Sequence, residues 1–215
     1  GGVWYWYSGS CGSTPVANSV TSISVSPATT TNYYVRAEGT CNTTTCANTT
    51  VTVNNIPGTV SVSGGTTQCG GTVVLTASGG TNGTIYWQGT TSGGTSTANS
   101  TNPQTVSSSG TYYFRAKNAC GWSTEGSAAV TINSVPSAVT VSGGGTYCGS
   151  TSVSASGGTG GTIYYQGSTS NGRSTALGGT PQTVSTSGTY YFRSRSAAGC
   201  WGAEGSVTVT INVVP

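Results

Sequence analysis

The chain has 215 residues, and 4% of them are charged, whereas about 25% is usual in soluble domains. Its net charge of +3 comes from scattered residues, which excludes the dense basic face that nucleic-acid binding requires. Because there is no His and only three acidic residues, acid–base pairs and calcium-binding carboxylate clusters are excluded, so we expect no enzyme, no catalytic residue, no metal and no cofactor.

One passage recurs three times along the chain and ends each time in a proline. It reads NTTVTVNNIP (Asn48–Pro57), SAAVTINSVP (Ser127–Pro136) and SVTVTINVVP (Ser206–Pro215). Such repetition is typical of domain arrays, and each proline stiffens the junction that it ends. The sequence therefore predicts three repeats, of which the first lacks its initial strands. The predicted boundaries are 1–57, 58–136 and 137–215.

Residues 58–136 contain short alternating apolar runs between Gly, Ser and Thr turns, which is the pattern of an all-β domain. In chain order the predicted strands are Thr59–Ser63, Thr72–Ser78, Thr84–Gln88, Gln104–Ser107, Thr111–Lys117 and Ser127–Asn133. We label the first three A, B and C, and the last two F and G. Alternation places Leu75 of strand B in the predicted core.

The run SGTYYF at strand F resembles the end of an immunoglobulin variable domain, where a tyrosine corner precedes a core cysteine. In this resemblance a phenylalanine replaces the cysteine, and an aromatic residue fills the position of the strand C tryptophan. The corresponding core residues are Tyr112, Phe114 and Trp87 in the second repeat and Tyr191, Phe192 and Tyr165 in the third. We therefore expect an all-β fold of tandem immunoglobulin-like β-sandwich domains in a linear array.

Three longer passages are distinctive: WYSGSCGSTP (Trp6–Pro15), YYVRAEGTCNTTTCANTTVTV (Tyr33–Val53) and VVLTASGGTNGTIYW (Val73–Trp87). They are similar to the immunoglobulin-like repeats of giant secreted surface adhesins of gliding bacteria, and the resemblance extends over the whole chain. It implies a secreted, extracellular, filamentous protein that is attached to the cell surface and acts in adhesion and gliding motility. Because the chain opens in mid-pattern, we expect it to be a segment of a longer protein.

Seven cysteines indicate an oxidising compartment. In each complete repeat, one cysteine (Cys69 or Cys148) precedes strand B and another (Cys120 or Cys200) follows strand F. Strands B and F of an immunoglobulin-like sandwich run in the same direction, so these two cysteines lie at opposite ends of one domain. That separation exceeds the roughly 7 Å between Cα atoms that a disulfide spans.

Two sets of disulfides stay open as alternatives. In one set, disulfides join successive repeats, because Cys69 faces Cys200 and Cys11 faces Cys120. In this set Cys41 pairs with Cys46 across one tight hairpin, and Cys148 awaits a following repeat. In the other set, each disulfide lies within a repeat, as Cys69–Cys120 and Cys148–Cys200.

Four aromatic residues are candidates for contacts with a ligand or a neighbouring domain. Trp122 and Trp201 follow the strand F cysteines, and Tyr86 and Tyr164 face outward from strand C. Exposed aromatic side chains stack on sugar rings or anchor protein partners. We expect the two tryptophans to pack against the preceding repeat, because each lies at a domain end, and ligand binding is the alternative.

These patterns favour a structural stalk or filament segment of a secreted bacterial cell-surface adhesin, whose partners are the neighbouring repeats of the same chain. One alternative is a module that binds surface glycans or another surface through exposed Trp and Tyr. A second alternative is a self-assembling extracellular fibre subunit, in which strand edges of separate copies pair. No apolar run approaches the roughly 18 residues of a membrane span, so we expect none.

Overall fold

The computed structural model describes residues 1–213, so the repeat-ending Pro215 lies outside the described residues. Every regular element in this range is a β-strand, which confirms the predicted all-β fold. The chain divides into two compact units, which are not the three predicted repeats, and the repeat boundaries stay a prediction. The first unit is Gly1–Thr59, Gly80–Thr84 and Ala116–Thr124, and the second is Val60–Gly79, Ile85–Arg115 and Glu125–Pro215.

Residues 1–57 form one four-stranded antiparallel sheet in the order β2-β1-β3-β4. Its strands are β1 (Val3–Ser8), β2 (Thr14–Asn18), β3 (Thr31–Glu38) and β4 (Ala47–Val51). Tyr7 and Tyr33 are buried, whereas Trp4 is 46% exposed. Within residues 1–213, β4 pairs with β3 along one side and with no strand along the other, so it is an edge strand.

Residues 58–136 form two sheets. The strands are β5 (Val60–Ser63), β6 (Thr67–Cys69), β7 (Val73–Gly79), β8 (Thr84–Trp87), β9 (Gln104–Val106), β10 (Gly110–Asn118), β11 (Gly121–Trp122) and β12 (Gly126–Asn133). One sheet has the order β5-β7-β9, and the other has the order β11-β10-β12-β6, with β8 paired to β10. Because β5 and β7 contact β12, the sheets pack face to face as a sandwich.

Residues 137–213 repeat this arrangement. The strands are β13 (Val139–Ser142), β14 (Gly145–Cys148), β15 (Thr151–Gly157), β16 (Thr162–Tyr165), β17 (Gln182–Val184), β18 (Gly188–Arg195) and β19 (Gly205–Asn212). Their sheets have the orders β13-β15-β17 and β14-β19-β18-β16. Val153 and Phe192 come from opposite sheets and meet in one buried cluster, in which both are completely buried.

The alternating apolar residues of these strands fill the two cores. Leu75, Phe114 and Phe192 are completely buried, and Tyr112 is 7% exposed. The side chain of Trp87 stacks on Tyr112, with ring centroids 5.3 Å apart, and is only partly buried. In the third repeat Tyr165 takes the position of Trp87 and is likewise partly buried against Phe192.

The core tyrosine of the third repeat is Tyr190, and the prediction of Tyr191 at this position is wrong. Tyr190 is 7% exposed, and its hydroxyl donates to the Thr186 carbonyl at 2.7 Å. Tyr112 makes the same bond to the Ser108 carbonyl at 2.8 Å. The predicted alignment is wrong by one residue. Because side chains alternate between the two faces of a strand, Tyr191 lies on the opposite face of β18, where it is half-buried.

Candidate functional site: cysteines and half-buried aromatic residues

The short strand β6 carries Cys69 to the end of β12. The two strands run parallel, and Cys69 lies beside Asn133. Gly70 and Gly71 follow with φ angles of 58° and 75°, which glycine adopts without strain. This turn lets the Gly70 N–H donate to the Asn133 carbonyl at 2.9 Å. Cys69 is therefore held where the second repeat ends.

Cys200 lies in the loop between β18 and β19 and is 1% exposed. Its carbonyl accepts from the Ser196 N–H at 2.8 Å, which fixes the loop. Cys69 and Cys200 form a disulfide, with their Cα atoms 5.5 Å apart. The bond joins β6 of the second repeat to a loop of the third, so the within-repeat alternatives Cys69–Cys120 and Cys148–Cys200 are wrong.

The other disulfide joins Cys11 to Cys46, with Cα atoms 6.1 Å apart. The predicted pairs Cys11–Cys120 and Cys41–Cys46 are therefore wrong. Cys41 lies in the bend at the tip of the β3–β4 hairpin, whereas Cys46 immediately precedes β4. At about 3.4 Å per residue, the hairpin arm carries Cys46 roughly 10 Å or more from that bend. The turn after β1 brings Cys11 to Cys46 instead.

Cys41, Cys120 and Cys148 are exposed and form no disulfide. Cys120 follows β10 as Cys200 follows β18, and its thiol donates to the Asn54 carbonyl at 3.3 Å. Cys148 ends β14 beside Asn212, as Cys69 ends β6. Two of the three free thiols are thus counterparts of the two cysteines that form the inter-repeat disulfide.

An ion pair lies beside the Cys11–Cys46 disulfide on the first sheet. Arg36 Nη2 is 2.7 Å from Glu38 Oε1, and Arg36 Nη1 lies 3.7 Å from Cys11 Sγ. The Tyr7 hydroxyl also donates to Glu38. Hydrogen bonds from Tyr7 and then Arg36 lower the pKa of Glu38 below its ordinary value, because they stabilise the carboxylate.

Trp201 lies over the outward face of its own sheet. The ring of Tyr164 meets it edge-on, with centroids 5.8 Å apart, and the Arg193 and Arg195 guanidinium carbons are 5.6 and 5.8 Å from its ring centroid. These ring contacts lie within the third repeat, and packing of Trp201 against the preceding repeat stays a prediction. A β-bridge between Arg195 and Trp201 causes these contacts, because it holds the loop against β18.

Trp122 takes the same place in the second repeat. It pairs with Lys117 of β10, whose ammonium nitrogen lies 5.8 Å from the indole centroid. Tyr86 lies on β8 at the position that Tyr164 has on β16. All four candidate aromatic residues are half-buried, so each presents part of a ring to solvent.

A carboxylate holds the loop after strand C in each complete repeat. Glu125 accepts hydrogen bonds from the Ser92 hydroxyl and the Gly93 N–H, both at 2.7 Å. These bonds, chiefly the one from Gly93, lower the pKa of Glu125. Glu204 accepts from the Ser170 hydroxyl at 2.8 Å in the corresponding loop of the third repeat. Neither loop was assigned a role from the sequence.

The strand order defines the class of protein. In each complete repeat, a three-stranded antiparallel sheet faces a second sheet whose edge strand is parallel to its neighbour, and a tyrosine corner links the base of strand F to the preceding loop. This is an immunoglobulin-like β-sandwich. Within residues 1–213, no helix is long and apolar enough to cross a membrane.

No protein-family model and no curated protein matches the sequence. Among solved structures, the chain is similar to the four N-terminal immunoglobulin domains of Dscam1, with 13% identity, a TM-score of 0.28, and coverage of 98% of this chain and 65% of that one. It thus spans just under two thirds of that structure.

Two further solved structures resemble the chain. Domains from titin show 16% identity and a TM-score of 0.32, covering 97% of this chain and 88% of that one. A structure concerned with host cell surface retention of a 1.5-MDa bacterial ice-binding adhesin shows 15% identity and a TM-score of 0.32, covering 99% and 87%. Because these TM-scores lie below 0.5, the likenesses support no inference about function.

Proposed function

We propose that this chain is a stalk segment of a secreted bacterial adhesin, of the kind that gliding bacteria carry on their surface. Its repeats, 1–57, 58–136 and 137–215, would form a linear array that holds an adhesive tip away from the cell. Its immediate partners are then the neighbouring repeats of the same chain. The Cys69–Cys200 disulfide is the observation that carries this proposal.

The disulfide gives tension a short route through the chain. The bond joins residues 131 positions apart, so a force applied at the two ends passes from Cys69 directly to Cys200. The strands between these residues, including most of both sandwiches, then bear little of the force. Protection of this kind suits a filament under tension, and two disulfides suit the oxidising environment outside the cytosol.

Single-molecule stretching of the whole chain tests the proposal. At about 3.5 Å per extended residue, the intact disulfide withholds about 450 Å of extension. We expect the double variant Cys69→Ser and Cys200→Ser to gain that length and to unfold at lower force. The variant Cys41→Ser, which removes an exposed free thiol, is the matched control and should behave as the wild type. Equal unfolding forces in the wild type and the double variant would contradict a tension-bearing role.

Carbohydrate binding is a second candidate because of one cluster. Trp201 and Tyr164 meet edge-on and are half-buried, and Arg193 and Arg195 flank the indole ring. Arg193 donates to the backbone carbonyls of Gly202 and Gly172, so Arg195 is the donor available to a ligand. An accessible aromatic ring beside such a donor is an arrangement that stacks on a sugar. Binding of the chain to immobilised glycans, abolished by Trp201→Ala and retained in Trp4→Ala, would favour this candidate over the stalk.

A further inference from the structure

The three repeats end in the same backbone arrangement, but only two of them carry a parallel strand there. Asn54, Asn133 and Asn212 occupy equivalent positions in the recurring passage. β6 runs beside Asn133, and β14 runs beside Asn212. Among residues 1–213, no strand pairs with the corresponding edge of residues 52–54, where the Asn54 carbonyl accepts the Cys120 thiol.

The other backbone edge of the recurring passage is hydrogen-bonded in the same way in all three repeats. The Val53 N–H donates to the Thr30 hydroxyl at 3.1 Å, and the Ile132 N–H donates to the Ser109 hydroxyl at 2.8 Å. In the third repeat the Ile211 N–H donates to the Ser187 hydroxyl at 2.8 Å. The backbone at Val53 therefore has the orientation of the backbone at Ile132. The other backbone edge of residues 52–54 therefore faces the side on which β6 lies beside β12 in the second repeat.

A cleft and a free thiol lie at this open edge. The cleft has a volume of about 430 Å³ and is lined by Val53, Asn54, Asn82, Asn118 and Cys120, among others. In the second repeat, Asn133 is the equivalent of Asn54. Its carbonyl accepts a hydrogen bond from the N–H of Gly70, which follows Cys69.

We infer that this cleft is a docking site for a cysteine-bearing β-strand. The occupant is an extended segment of the chemistry of β6, with two small or polar residues before the cysteine and glycine after it. It adds in parallel to residues 52–54 by backbone hydrogen bonds and places its cysteine beside Asn54. Cys120 then forms a disulfide with that cysteine, as Cys200 does with Cys69.

The inference deepens the proposed stalk function, on which it rests, because it identifies how a cross-linked array recruits a further strand. The bond forms by thiol–disulfide exchange. The Cys120 thiolate attacks the sulfur of an occupant cysteine that is capped as a mixed disulfide. The new S–S bond replaces the old one, and the capping thiol leaves as a thiolate and takes up the proton that Cys120 lost.

Exchange with a synthetic strand tests the site in the whole chain. The probe is the peptide GTTQCGG, the sequence of residues 65–71, with its cysteine capped by thionitrobenzoate, whose release is followed by absorbance. The control peptide carries Gln68→Pro, which removes an N–H on the edge that faces the partner strand. Replacing two of Cys41, Cys120 and Cys148 by Ser leaves one free thiol at a time.

We expect Cys120 to react at least tenfold faster with the strand peptide than with the control peptide. Cys41 and Cys148 should react with the two peptides at rates equal within twofold. Because the rates of the two peptides are compared at the same thiol, differences in reactivity between the thiols cancel. Asn54→Pro, which removes a backbone N–H at the docking edge, should reduce the Cys120 rate to that of the control peptide.

Equal rates of the two peptides at Cys120, or a rate unaffected by Asn54→Pro, would overturn the docking site. Either result leaves the stretching behaviour of the Cys69–Cys200 linkage unchanged, because Cys120 has no part in that disulfide. The docking site and the stalk function therefore fail separately.

Discussion

The hydroxyl of Tyr190 donates to the carbonyl of Thr186, four residues earlier, at 2.7 Å. The bond ties strand β18 to the preceding loop from within the core. Because one such hydrogen bond contributes about 0.5–1.5 kcal/mol net, we expect Tyr190→Phe to lower the free energy of unfolding by about 1 kcal/mol. Chemical denaturation measures this change, and Tyr112→Phe should have the same effect in the second repeat.

The neighbouring Tyr191 supplies the matched control. It differs from Tyr190 in facing the other side of β18, where it is half-buried. Tyr191→Phe should change stability by less than about 0.5 kcal/mol, as surface substitutions usually do. If Tyr191→Phe cost as much as Tyr190→Phe, the assignment of the corner to Tyr190 would be wrong.

The Cys69–Cys200 disulfide should contribute more to stability than any single hydrogen bond. It closes a loop of 131 residues. The chain-entropy relation gives about 5 kcal/mol for a loop of this size, at the upper end of the roughly 2–5 kcal/mol that removal of a native disulfide costs. We expect the double variant Cys69→Ser and Cys200→Ser to lose stability in that range on chemical denaturation. Reducing conditions should abolish the difference between the wild type and the variant, because both then also lack the Cys11–Cys46 disulfide. A variant as stable as the wild type under oxidising conditions would contradict the prediction.

Sequence patterns predict most of the strands because alternation of apolar residues is a local signal. Spacing alone predicts that Leu75 lies in the core, and its side chain is completely buried. Alignment between repeats was less secure at Tyr191, because the third repeat has a different number of residues between its aromatic strands and its proline.

The cysteine pairings illustrate what local patterns do not contain. β6 is three residues long, too short for alternation to be visible, and its parallel partner β12 follows more than fifty residues later. If β6 is not recognised, the sequence pattern places Cys69 in the loop before strand B. The Cys11–Cys46 pair depends on the path of the turn after β1, which no spacing rule specifies.

Packing of the second sandwich can be tested at Leu75. Its side chain is completely buried, so Leu75→Ala removes apolar contacts and leaves a cavity. We expect a loss of about 2–5 kcal/mol in the free energy of unfolding. Leu177→Ala is the control, because Leu177 is 54% exposed and its truncation should cost less than about 0.5 kcal/mol.

The bonds from Gly93 and Ser92 to Glu125 predict a pH-dependent contribution to stability. They lower the pKa of Glu125 in the folded protein, so between the folded and unfolded values the unfolded chain binds more protons. The contribution is therefore fully present above the ordinary carboxyl pKa of about 4.3 and is lost as the pH falls through the lower folded value. We expect Glu125→Gln to be less stable than the wild type at pH 7, and the difference to shrink as the pH falls below about 4. Denaturation curves of both proteins between pH 7 and pH 2 measure it, and a difference that persists unchanged to pH 2 would show that the ionised carboxylate does not hold this loop.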